Sequence, residues 1–178
     1  MNTYIALLRG INVSGQKKVS MANLQELMTD LGFSNVKTYI QSGNMVFQSS
    51  ENNSSILEAK ISESIFKTFG FEVPVLVKNE MQLQKIFNFN SFSEVEKPAS
   101  YFTLLSEIPK AELVKSVSKE TYKDEVFTIT DSCVYSYSKH GYGKAKCNNN
   151  FFERKLKVSA TTRNFKTMQK LLSLCSDL

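Results

Sequence analysis

The chain has 178 residues, 42% of them hydrophobic and 11% aromatic, with thirteen Phe, no Trp and only three Pro. That suffices to bury a core in one domain or two small ones, and it excludes a disordered chain. The formal charge is +5, unevenly spread: residues 1–78 carry seven Lys/Arg against six Asp/Glu, whereas residues 139–170 carry nine Lys/Arg against a single acid, Glu153.

YIALLRGI, residues 4–11, reads as a largely buried strand, followed by the loop NVSGQKKVS. Ser20 can cap the next helix by accepting from an exposed amide. Leu24, Leu27, Met28 and Leu31 recur on one side of that helix, and Gly32 ends it. VKTYI and MVF are short strands joined across Gly43-Asn44, a pair suited to a type II′ turn. Ser55 and Glu58 have capping-box spacing ahead of the stripe Leu57, Ile61, Ile65 and Phe69, which Gly70 stops. VPVLV, residues 73–77, is a further strand, with Pro74 marking an edge or a strand start. The order β-α-β-β-α-β predicts a ferredoxin-like unit, an antiparallel sheet with two helices on one face.

Residues 79–87 form a short helix with Met81, Leu83, Ile86 and Phe87 apolar. The irregular stretch 88–99 marks a module boundary, with Phe89 and Phe92 pinning it down. The second half repeats the order. YFTLLS is a strand, Pro109 opens a helix, and EVFTIT and CVYSYS flank a turn at Asp131-Ser132. Asn148 or Asn149 caps a helix holding Phe151, Phe152 and Leu156. Residues 157–160 are a short strand, and a last helix runs from about 163 to 175. The fold class is therefore α+β, two ferredoxin-like modules with additional connecting and C-terminal helices. Residues 1–88 form the first module and 89–178 the second, packed as one unit.

Three cysteines without a CxxC pair, and one His without a nearby second ligand, point away from disulfides and structural zinc and fit a reducing cytoplasm. The apolar run YIALL is too short for a signal peptide or membrane span. GINVSGQKK is not a Walker loop, because Gln16 separates Gly15 from Lys17, and no GxGxxG occurs. No cofactor is indicated. His140 sits in a glycine-rich turn, Cys147 lies beside three Asn, and no convincing acid–base pair emerges.

Topology then draws polar residues together. In a ferredoxin-like unit the first two strands run the same way, so the loop after the first and the hairpin after the second share one rim. The loop brings Arg9, Asn12, Ser14, Gly15, Gln16, Lys17 and Lys18; the hairpin brings Gln41, Ser42, Gly43 and Asn44. Arg9 offers a planar donor fork, Lys17 or Lys18 a point charge, and the glycines let backbone amides approach an anion. Local structure is the competing role: Ser42 and Asn44 are ordinary turn residues, and Gln41 can satisfy a backbone group. A second candidate is TTRNFKTMQKL, residues 161–171. There Thr161 or Thr162 can cap the final helix, while Arg163, Asn164 and Lys166 crowd its first turn and oppose its dipole unless an anion sits nearby.

LLRGINVSG, KKVSMANL, YIQSGNMVF and TTRNFKTMQKL together resemble a bacterial family catalogued as domain of unknown function 1697. The resemblance implies a ferredoxin-like build with two related halves and supplies no activity. It marks Arg9, Gly10, Asn12, Gln41, Ser42, Gly43 and Asn44, then Thr162, Arg163 and Asn164. Phe165 stands where that family usually has Trp, and Ala145 where it often has Ser. The leading expectation is binding of a phosphate-bearing ligand or nucleic acid, from the basic 139–170 segment and the Arg/Gly/Lys loop. The alternatives are an enzyme acting on a small anionic metabolite and a protein-interaction or self-associating module.

Overall fold

The computed structural model describes residues 1–178 apart from Ser14, so that member of the first loop lies outside the described residues. The alternation and helical spacing read above become strands and helices in two units, Met1–Lys85 with Lys170–Leu178, and Ile86–Gln169.

The first unit contains β1 (Asn2–Leu8), α1 (Met21–Asp30), β2 (Ser34–Tyr39), β3 (Asn44–Ser49), α2 (Ser54–Phe69) and β4 (Val75–Asn79); α3 (Glu80–Asn88) follows directly. Its sheet has the order β2-β3-β1-β4, and every neighbouring pair is antiparallel. Hence β1 and β2 run the same way. Leu8 and Tyr39 end at the rim where β3 starts at Asn44 and β4 at Val75.

Alternate residues of the strands, Tyr4, Ala6, Leu8, Met45, Phe47 and Val77, pack against Leu24 and Met28 of α1 and Leu57, Ile61 and Ile65 of α2. The helical stripes seen in sequence are thus the buried faces, each large side chain contributing about 1.5–3 kcal/mol. Ser20 caps α1, its Oγ accepting from Asn23 N–H at 3.0 Å.

Two local expectations are corrected. Tyr39 pairs with Asn44, so the hairpin loop is the four residues 40–43 and not a two-residue Gly43-Asn44 turn. Asn53, not Ser55, caps α2. Glu58 instead reaches the sheet, its Oε1 accepting from Val77 N–H at 2.8 Å.

The second unit contains β5 (Tyr101–Leu105), α4 (Ala111–Val117), β6 (Glu125–Ile129), β7 (Cys133–Ser138), α5 (Asn149–Leu156) and β8 (Ala160–Asn164), with α6 (Phe165–Ser176) following. Its order, β6-β7-β5-β8, repeats the first unit's arrangement. Both are ferredoxin-like βαββαβ modules. Leu105, Val117, Val134, Phe151, Phe152 and Leu156 form the helix-side core. Lys110 stands at the N-cap of α4, so Pro109 precedes that helix instead of opening it.

The likeness reaches individual bonds. Asn53 and Asn148 cap α2 and α5. Five residues beyond each cap, Glu58 accepts from Val77 N–H and Glu153 from Ala160 N–H, at 2.8 and 2.7 Å. Asn79 lies opposite Tyr4 and Asn164 opposite Tyr101, and each Asn Oδ1 accepts an amide three residues on, from Gln82 and Thr167, both at 2.8 Å. Among the described residues, no helix is long and apolar enough to cross a membrane.

Candidate functional site

The first loop leaves β1 under tight constraint. Leu8 N–H donates to Gly43 O at 2.8 Å and Arg9 N–H to Pro74 O at 3.0 Å, so β1, the hairpin and the entry to β4 meet at one rim. Gly43 has φ +70, and a Cβ there would lie 2.6 Å from Leu8 Cβ. Only glycine lets the hairpin sit so close.

Asn12 joins the two segments. Its Nδ2 donates to Val19 O at 2.8 Å and to Gln41 O at 2.9 Å, while its Oδ1 accepts from Val19 N–H at 2.9 Å. Its own N–H donates to Lys17 O at 3.1 Å. The side-chain amide is engaged at both ends, and the residue holds a left-handed φ of 55 that Asn tolerates well. Between these anchors Gln16 N–H donates to Val13 O at 3.0 Å and closes a tight turn containing Gly15.

The remaining rim residues divide by role. Asn44 is fully buried, its Nδ2 donating to Tyr39 O at 3.0 Å and to Ser42 Oγ at 2.8 Å. Asn12, Ser42 and Asn44 therefore build the rim. Arg9 is half-buried; Lys17, Lys18 and Gln41 are exposed. Lys17 Nζ donates to Glu72 O at 2.6 Å, which fixes the ammonium beside the chain entering β4. There Lys17, Ser62, Glu63, Phe66, Glu72, Val73 and Pro74 line an open groove of about 520 Å³. Sequence reading passed over this groove. Its one signal was Phe66, an aromatic off the buried stripe of α2 that is 52% exposed.

Arg163, Asn164 and Lys166 lie in the second unit and take up different duties. Arg163 and Asn164 belong to β8, not to a helix turn, and Asn164 caps α6 in place of Thr161 or Thr162. Thr162 Oγ1 instead sits 2.8 Å from Thr103 Oγ1 and donates to Asn149 Oδ1 at 2.9 Å. Arg163 Nη1 donates to Thr161 Oγ1 at 2.9 Å and Thr162 O at 3.0 Å. Burial of its guanidinium lowers the pKa to about 10, which leaves it charged at neutral pH. Lys166 alone occupies the first turn of α6, exposed.

The basic segment is partly consumed as well. Lys155 pairs with Glu120 at 2.7 Å, and Glu125 Oε1 and Oε2 accept the amides of Lys146 and Cys147, each at 2.9 Å. Burial, reinforced by Glu125, pushes the Cys147 thiol up to about 12, which disfavours the nucleophilic thiolate at neutral pH.

A family model described as "Protein of unknown function (DUF1697)" matches residues 1–135. The chain belongs to the DUF1697 family. In this DUF1697 protein the matched span contains the whole loop–hairpin rim and ends before Arg163. No curated protein matches the chain. Its structure is similar to that of a conserved bacterial protein from Streptococcus pneumoniae, at 25% identity, with 98% of each chain covered and a TM-score of 0.73.

Proposed function

We propose that the rim shared by the β1–α1 loop and the β2–β3 hairpin binds a compact phosphate-bearing ligand. The observation that carries this reading is the Asn12 side chain, which bonds Val19 on one side and Gln41 on the other. It fixes a loop carrying Arg9, Lys17 and Lys18 beside an exposed Gln41 before any ligand arrives. Such preorganisation lowers the ordering cost of binding. The groove beside Lys17 supports a ligand with an apolar portion, since Phe66, Val73 and Pro74 line it. Glu63 and Glu72 border the same groove and would repel a long polyanion, which favours a small group with few phosphates over a nucleic-acid track.

Calorimetric titration with inorganic pyrophosphate, a nucleoside monophosphate and a mixed-sequence oligonucleotide, each at two salt concentrations, tests the reading. Pyrophosphate or the nucleotide is expected to bind. Replacing Lys17 and Lys18 together by Gln is expected to weaken it about tenfold or more, because charge-assisted hydrogen bonds contribute about 1.5–3 kcal/mol each. Binding of the oligonucleotide alone, insensitive to those two lysines, would overturn the compact-ligand reading. So would no binding at low salt.

A further inference from the structure

Each sheet ends in two edge strands, and an edge offers unpaired N–H and C=O groups to any passing strand. Three of the four edges carry a guard. On β2 the register shifts between Ser34 and Lys37, and Asn35 takes a left-handed φ of 53. On β4 the outward amides of Val77 and Asn79 are taken by Glu58 Oε1 and Gln82 Oε1. On β8 the Ala160 amide is taken by Glu153 Oε1.

The fourth edge, β6, differs. Its sequence EVFTI contains no Pro or Lys, and its register with β7 runs unbroken from Glu125 to Ile129. Thr130 N–H donates to Cys133 O and Lys139 N–H to Asp124 O, so the even-numbered residues bond β7. Glu125, Phe127 and Ile129 therefore turn their backbone groups outward. Glu125 N–H goes to Tyr122 O at 3.3 Å, while the amides of Phe127 and Ile129 meet no partner among the described residues. Val126 is 53% exposed and Thr128 is exposed beside it.

We propose that β6 is a self-association edge: two copies of the chain pair β6 with β6 antiparallel about a two-fold axis at Phe127, joining two four-stranded sheets into one. The strand suits its own copy. Phe127 opposite Phe127 is a hydrogen-bonded pair whose outward groups satisfy each other, and Glu125 falls opposite Ile129. Val126 of one copy meets Thr128 of the other, so no like charges oppose each other within the strand. Beyond its ends, exposed Lys123 of one copy approaches exposed Asp131 of the other, while Asp124 is already paired with His140 at 3.2 Å. The pairing does not involve the phosphate rim and stands whether or not that rim binds a ligand.

Sedimentation velocity over a concentration series tests it. The native chain is expected to show a monomer–dimer equilibrium. Val126→Lys with Thr128→Lys sets cation against cation twice across the axis and is expected to yield monomer. Val126→Lys with Thr128→Glu sets cation against carboxylate and is expected to restore the dimer. Both positions are exposed, and unchanged thermal melts establish that the variants fold. A native monomer at every concentration, or a dimer equally strong in both variants, would overturn the proposal.

Discussion

A methyl group at Gly43 would lie 2.6 Å from Leu8 Cβ and 2.9 Å from Ile11 Cδ1, whereas one at Gly15 would meet nothing within 4 Å. Both glycines have left-handed φ values, +70 and +75. Gly15→Ala should therefore cost only the conformational penalty, about 1–2 kcal/mol. Gly43→Ala adds a clash with Leu8 Cβ on β1, an atom fixed by the strand, and should cost about 3 kcal/mol or more. Paired urea unfolding curves measure the difference, and equal losses would contradict the close approach of hairpin and loop. At this scale the sequence was a partial guide. It drew Gln41 to Asn44 to the same rim as the first loop and gave Gly43-Asn44 to the turn, but it could not show that Asn44 points inward to Tyr39 and Ser42. Nor could it show that Asn12 serves the rim with both ends of its amide. Whether a polar side chain faces a ligand or the backbone depends on neighbours remote in the chain.

Glu125 at the start of β6 holds the loop before α5 by accepting two backbone amides, those of Lys146 and Cys147. Burial raises its pKa, but these bonds outweigh burial and bring it below the ordinary value of 4.5. A carboxylate whose folded pKa is depressed stabilises the fold above its unfolded pKa, and that stability is lost as pH falls through the folded value. Glu125→Gln should therefore lower the melting temperature at neutral pH, and the gap to the native chain should close in acid, as the pH falls through the depressed folded-state value. A constant gap across that range would mean that the carboxylate charge plays no part. Elements were the best-read level of the sequence, because apolar spacing of two or of three to four residues reports burial directly. Their ends were less legible. Ser55 and Glu58 have capping-box spacing, yet Asn53 takes the cap and Glu58 guards β4. Thr161 and Thr162 look like caps and lie in β8. In both cases a tertiary bond outcompeted the local one.

For the molecule as a whole, the βαββαβ order repeated in both halves was readable without any repeat of sequence, since each module needs the pattern of its core and not particular residues. The equivalence of Glu58 with Glu153 and of Asn79 with Asn164 emerges only from register. In the basic 139–170 segment Lys155 is paired with Glu120 and Arg163 is half-buried, while the other seven cations are exposed. The proposed ligand site is the charged rim of the first unit. The direct measurement is a titration of the isotope-labelled chain with inorganic pyrophosphate at low salt, followed amide by amide in solution NMR. The account predicts that residues 9–18 and 40–43 shift together with one saturating affinity. Shifts confined to residues 139–157, or none in either rim segment, would contradict it.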